Sequence, residues 1–268
     1  MNLMDYCFEG EVIMTYQGSL TQLKEVERLV HDRTAYEFLK ENFDGPKTDQ
    51  DQMLWLHESL RNSELVETDK YRVITATLYV ILAHDTHEAI DEEGDARKLT
   101  LKERELTVLA GDYYSALYYR TMAELGMVDL LRALQRGVQK MNTAKTNIYQ
   151  LHVSSDEQYA SEFRAASAAI FSEFARYFGK EDHFVLLAER ALALKKLFDE
   201  RTFYEAYHSS TLKRAYEHGF FARDAAASFE EWLEQLILRV KKEIIELRET
   251  CEPLSSVLDM RLQEMLQR

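Results

Sequence analysis

The chain has 268 residues, of which 46% are hydrophobic and 30% charged, with only 9 Gly and 2 Pro. This is a globular composition with little turn chemistry for a many-stranded fold. Its 33 basic and 47 acidic residues leave a net charge of −14, which argues against non-specific binding to nucleic acid or to an anionic membrane surface.

Residues 1–18 are mixed and can lead irregularly into the first helix; Asp5 and Glu9 interrupt any apolar run there, so no signal peptide is expected. Leu20, Leu23, Val26, Val30 and Leu39 predict a helix from Ser19 to about Glu41, ended by Gly45-Pro46. Asp49-Gln50-Asp51-Gln52 has the capping-box form ahead of a short helix carrying Met53, Leu54, Leu56 and Leu60. Thr68 and Asp69 can cap the next helix, which runs through Ile74, Leu78, Ile81 and Leu82 to about Glu92, with Gly94 as its stop. Thr100-Leu101-Lys102-Glu103 is a capping box for a helix from Leu101 to Leu125, closed by Gly126. Leu106, Leu109, Ala110, Tyr113 and Leu117 recur on one face of it, and Tyr114, Tyr118 and Thr121 form a second stripe. This helix is therefore expected to be central.

A helix from Met127 to about Tyr149 follows, and Ser154-Ser155-Asp156-Glu157-Gln158 offers two overlapping boxes for another. That next helix sets Phe163, Ile170, Phe171, Phe174 and Phe178 on one side. Its small residues Ala165, Ala166, Ala168 and Ala169 give a neighbour room to approach, and Gly179 ends it. A helix is predicted from Phe184 to Phe198 and a shorter one from Arg201 to His218, stopped by Gly219. Ser228-Phe229-Glu230-Glu231 begins the last long helix, Pro253 breaks it, and a short helix finishes the chain. There is no alternating strand, fixed-period repeat or low-complexity linker. No run of about 18 uncharged apolar residues occurs, so no transmembrane helix is expected. Cys7 and Cys251 lie near opposite ends, without a CxxC or a Cys/His zinc spacing, and are expected to be reduced thiols. The reading is one all-α, single-domain helical bundle over residues 1–268, soluble and cytoplasmic.

Leu78-Tyr79-Val80-Ile81-Leu82-Ala83-His84-Asp85-Thr86-His87-Glu88 and Ala110-Gly111-Asp112-Tyr113-Tyr114-Ser115-Ala116-Leu117-Tyr118-Tyr119 resemble helices of the all-α prenyl diphosphate synthases. The resemblance is closer to component 1, the small subunit, of the two-component heptaprenyl diphosphate synthases. It spans most of the chain in helix order, with its specific signal in residues 78–92 and 105–125. The implied fold is that of the isoprenoid synthases.

Such enzymes ionise an allylic carbon–oxygen bond, and Mg²⁺ neutralises the charge developing on the leaving diphosphate. The family holds that metal with two DDxxD-type motifs, whose carboxylates are hard oxygen ligands. Here the first motif should fall on residues 83–89, where Asp85 matches the first aspartate but Thr86 and Ala89 stand at the second and third. The second should fall on Leu187-Ala188-Glu189-Arg190-Ala191-Leu192-Ala193-Leu194-Lys195-Lys196, which has no aspartate pair. Asp199-Glu200-Arg201-Thr202-Phe203 is acidic but lacks the i+4 carboxylate.

The resemblance therefore implies an accessory subunit with no catalytic residues and no cofactor of its own. A catalytic large subunit would carry both motifs and the Mg²⁺. Together they would extend farnesyl diphosphate with isopentenyl diphosphate to the heptaprenyl chain of menaquinone. The absence of a paired-cysteine CxxxC motif separates the chain from plant-type small subunits.

Gly111 costs a helix interior about 1 kcal/mol relative to Ala and needs a close neighbour to explain it. Tyr79, Gly111, Asp112, Tyr113, Tyr114 and Tyr118 are the candidates to line a prenyl groove or to meet the partner, and Gly111 is expected at that interface. Clustered tyrosines fit core and interface better than a cofactor box. His84, His87, Glu88 and Asp91 share one helix face and, with Asp85, could hold a metal; hydrogen-bonded or solvated side chains are the commoner outcome. The acidic run from Glu88 to Asp95 reads as a solvated helix end. Two other readings remain: a stand-alone metal-dependent helical enzyme using His84, Asp85, His87 and Glu88, and a helical scaffold or regulatory protein unconnected with isoprenoids.

Overall fold

Several helices begin where a short polar acceptor precedes an apolar period of 3.6 residues. The computed structural model describes residues 23–34, 39, 47–90, 100–218 and 228–268, and among these it contains no strand. The helices are α1 (residues 23–34), α2 (Gln50–Ser59), α3 (Glu67–Glu88), α4 (Leu101–Leu125), α5 (Val128–Tyr149), α6 (Asp156–Tyr177), α7 (Asp182–Tyr207), α8 (Thr211–Glu217), α9 (Phe229–Thr250) and α10 (Ser256–Gln267).

Local chemistry sets most of the boundaries. The Asp49 carboxylate accepts from the backbone N–H groups of Asp51 and Gln52. At α4 the capping box is complete in both directions: Glu103 N–H donates to the Thr100 hydroxyl oxygen at 3.3 Å, and Thr100 N–H donates to the Glu103 carboxylate at 2.7 Å. Ser155, Ser210 and Ser228 accept in the same way at α6, α8 and α9. Each such cap contributes about 1 kcal/mol. Gly126 closes α4 with φ 68°, the left-handed region that glycine enters without strain.

Two predicted boundaries are corrected. α3 begins at Glu67 behind extended Val66, with no side-chain cap, rather than behind Thr68 or Asp69; acidic Glu67 and Asp69 in its first turn favour the helix dipole instead. α7 runs unbroken through residues 199–201, because no Gly or Pro interrupts the ladder there, and it turns at His208 with φ 54°. The helix expected from Arg201 to His218 is thus the end of α7 followed by short α8. The Gly45-Pro46, Gly94 and Gly219 stops, and residues 91–95, lie outside the described residues.

The chain divides into two compact units: Met1–Arg132 with Leu254–Arg261, and Ala133–Pro253 with Leu262–Arg268. In the first, the centre is α3. Val73 to Ala83 are buried without a break, as befits an uncharged run that is apolar around its whole girth. α4, expected to be central, packs along α3 but keeps Leu101, Val108, Leu109 and Tyr119 exposed. Its buried stripe is Leu106, Ala110, Tyr114, Leu117, Tyr118 and Thr121. Leu109, expected inside, lies off that stripe and is 60% exposed. The start of α10 is held to α2 by Arg261, whose Nε donates to nearly buried Asp51 at 2.6 Å, and by Ser255 N–H donating to Glu58 at 3.2 Å.

In the second unit Phe171, Phe174, Leu187, Leu194 and Phe198 form core. Gly137 on α5 lies against the α6 backbone: a Cβ there would sit 2.7 Å from Ile170 Cα and 2.9 Å from the Ala169 carbonyl oxygen. The small face of α6 receives α5 at that crossing. Beside it, Lys140 Nζ and Arg136 Nε donate to the Glu173 carboxylate at 2.6 and 3.0 Å. Burial alone would raise the Glu173 carboxyl, but these two cations outweigh it and hold the group below its usual range.

Candidate functional site around the α3–α4 helix pair

The residues singled out on α3 and α4 come together in the first unit through one contact. Gly111 is buried, and a Cβ built on it would lie 2.5 Å from Cε1 and Nε2 of His87. The chain's own imidazole is the close neighbour that a mid-helix glycine requires. The ring lies across Gly111 and reaches the next residue of α4, with His87 Nε2 3.6 Å from Asp112 Oδ1. Asp112 itself is largely exposed.

The tyrosines divide by task. Tyr79 is fully buried, and its hydroxyl donates to the Leu29 carbonyl at 3.3 Å. Tyr113, half-buried, donates to the Arg33 carbonyl at 2.9 Å. Both bonds end on carbonyls of α1, so these two side chains fasten α1 to α3 and α4. Tyr114 and Tyr118 are buried in the stripe, and the Tyr118 ring lies 4.2 Å from that of exposed Tyr119. Burial pushes the Tyr79 hydroxyl up to about 12, and burial followed by the neighbouring Tyr113 raises Tyr114. Neither is a phenolate near neutral pH.

A diphosphate-binding magnesium clamp needs several carboxylate oxygens facing one way. Thr86, where the resemblance would put the second aspartate of the first motif, is 0% exposed, and its hydroxyl has no hydrogen-bond partner. Ala89 carries no oxygen at all. The second position therefore points into protein, and the donor set does not fit Mg²⁺. His84, Asp85, His87 and Glu88, the alternative metal set, do not converge: no group of three His, Cys, Asp or Glu side chains that could hold a metal exists among the described residues. His84, Asp85 and Glu88 are each engaged in other interactions, and Asp91 lies outside the described residues.

The part of α7 where the resemblance would put the second motif is likewise occupied by polar contacts and ion pairs. The Ser172 hydroxyl donates to Glu189 at 2.7 Å, Arg190 Nε donates to Glu243 of α9, and Lys195 donates to Asp199 at 2.7 Å. No helix of the described residues is long and apolar enough to cross a membrane.

This helical arrangement matches solved prenyl diphosphate synthases. The octaprenyl pyrophosphate synthase of Helicobacter pylori superposes with a TM-score of 0.62 at 14% identity, over 92% of this chain and 99% of that one. The heptaprenyl diphosphate synthase of Staphylococcus aureus gives 0.62 at 13% identity, over 92% and 98%. At such identity the likeness defines the class by fold alone: this is an isoprenoid synthase fold.

Residues 36–248 match the family described as heptaprenyl diphosphate synthase (HEPPP synthase) subunit 1, and the chain belongs to that family. Heptaprenyl diphosphate synthase component 1 of Geobacillus stearothermophilus is 29% identical over 116 residues, which is 43% of this chain. The chain spans about half, 51%, of that relative's length.

Sequence reasoning named His87 and Gly111 separately but did not pair them, because nothing local links residues on two helices. It also passed over Gly137, although a glycine inside a helical pattern was the available signal.

Proposed function

We propose that this chain is the accessory, non-catalytic subunit of a two-component heptaprenyl diphosphate synthase in the cytoplasm. It pairs with a catalytic large subunit that carries the aspartate-rich motifs and the magnesium. The pair extends farnesyl diphosphate with isopentenyl diphosphate for the menaquinone side chain. The observation that carries this reading is Thr86, sealed in the core where a metal-binding carboxylate would have to face the substrate. Without that clamp the developing charge on the leaving diphosphate has nothing to neutralise it in this chain.

The face of α4 that holds Leu101, Val108, Leu109, Asp112 and Tyr119 is the one offered to the large subunit. Aromatic and aliphatic side chains exposed along one helix suit burial against a second protein. Tyr114 and Tyr118 support the wall from inside, and Tyr79 and Tyr113 fix α1 beside it. Gly111 contributes by letting His87 lie flat against α4 and meet Asp112.

Calorimetry with a non-hydrolysable farnesyl diphosphate analogue tests the non-catalytic assignment. Affinity for the isolated chain is expected to be the same with and without Mg²⁺. Tight binding that appears only with magnesium would overturn it.

A further inference from the structure

The second unit carries a cluster of positive charge that the proposed function does not use. Phe198 on α7 is buried, and three cations from three parts of the chain lie over its ring. Arg201 Cζ of the same helix stands 5.2 Å from the ring centroid, Lys241 Nζ of α9 5.8 Å, and Arg268 Cζ, just past α10, 4.9 Å. A ring has two faces, so at least two of these cations share one.

The negative face of an aromatic ring attracts a cation, but it carries no net charge and cannot cancel the repulsion between the cations it gathers. Among the described residues, the one carboxylate paired with any of the three is Glu234, which accepts from Arg201 at 2.7 Å; Lys241 and Arg268 have no ion pair. Their neighbours on the same two long helices are matched instead, Lys195 by Asp199 at 2.7 Å and Lys242 by Glu246 at 3.8 Å. A local excess of positive charge thus stands in a chain whose net charge is −14. It is open to water: Arg268 is exposed, Lys241 is half-buried and the Arg201 side chain is 24% exposed. The apolar stems of such side chains can cover the ring while their heads stay wet, so an anion settling there from solvent needs no cavity.

We propose that Arg201, Lys241 and Arg268 form a surface cradle for a diphosphate group, held without a metal ion. Guanidinium forks match phosphate oxygens in pairs, and an ammonium adds a point charge. Cations arriving from three parts of the chain suit an anion with two phosphoryl groups better than a single tetrahedron, which reaches fewer of them. Glu234 competes for Arg201 and keeps the affinity modest. The charge of −14 gives anions no general attraction to this protein, so binding has to come from the three cations themselves. The inference does not rest on the accessory role, and its failure would leave that reading untouched.

The test is calorimetry on the full chain with EDTA at fixed ionic strength, titrating sodium diphosphate, phosphate and acetate. Saturable binding of diphosphate is expected, with phosphate weaker and acetate weaker still. Lys241→Gln removes no ion pair, so the variant should fold, and it should lose affinity by about three- to tenfold. Lys242→Gln, one residue along and outside the cradle, should bind as the natural chain does. Glu234→Gln frees Arg201 and should tighten binding, an effect that a purely structural role for the cluster would not produce. A non-hydrolysable farnesyl diphosphate analogue separates the sources of the group. Affinity no better than that of diphosphate assigns the cradle to the free anion; tighter binding, lost in Lys241→Gln, assigns it to the head of a prenyl diphosphate. Absence of saturable diphosphate binding, unchanged affinity in Lys241→Gln, or an equal loss in Lys242→Gln would overturn the proposal.

Discussion

Gly111 and Thr86 show how a single position is decided by what lies within a few ångströms of it. At Gly111 the neighbour is a side chain, the half-buried His87 ring. Gly111→Leu therefore collides inside the chain, and overpacking of this kind costs about 1–3 kcal/mol, partly offset by about 1 kcal/mol of better helix propensity. The expected result is a lower Tm for the isolated variant, recovered in large part when His87→Ala is added. An unchanged Tm in the single variant would count against the His87–Gly111 contact. At Thr86 the hydroxyl is buried and unpartnered, so Thr86→Val should raise stability by about 1 kcal/mol, the lower end of the cost of an unsatisfied group. Thr86→Asp should lower it by several kcal/mol, because a carboxylate there has neither water nor a cation. Urea melts of both variants check the pair of signs; a tolerated Asp would mean that position 86 faces solvent.

At the scale of elements, the same residue type gives opposite outcomes in two helices. A Cβ at Gly111 meets a ring that can swing aside, whereas a Cβ at Gly137 meets the backbone of α6 at Ile170 and Ala169, which cannot. Gly137→Ala is thus expected to force α5 and α6 apart and cost about 1–3 kcal/mol, while Gly111→Ala stays within about 1 kcal/mol of neutral. Thermal melts of the two alanine variants side by side check this, and equal Tm values would contradict it. The boundaries of α4 were legible in the sequence because a capping box and a left-handed glycine are local signals. The continuity of α7 was not, since the expected break at residues 199–201 rested on apolar spacing and no breaking residue stands there. Leu109 was misjudged because two overlapping apolar stripes ran along α4, and only the packing of α3 selects which of them is buried.

At the scale of the whole molecule, few glycines and prolines and the helical periods led to an all-helical bundle, and the resemblance carried by residues 78–92 and 105–125 implied the isoprenoid synthase fold that the solved structures share. Thr86 and Ala89, where that resemblance would put carboxylates, were equally legible. What the sequence could not convey was that position 86 is closed off inside the helix pair, so that restoring an aspartate there would not rebuild a clamp.

The central claim is that this chain is needed for prenyl elongation but does not perform it. The direct measurement is incorporation of labelled isopentenyl diphosphate into farnesyl-primed products, with Mg²⁺, by this chain alone, by the large subunit alone and by the two mixed. Long-chain product is predicted only in the mixture. Robust synthesis by this chain without a partner would contradict the account.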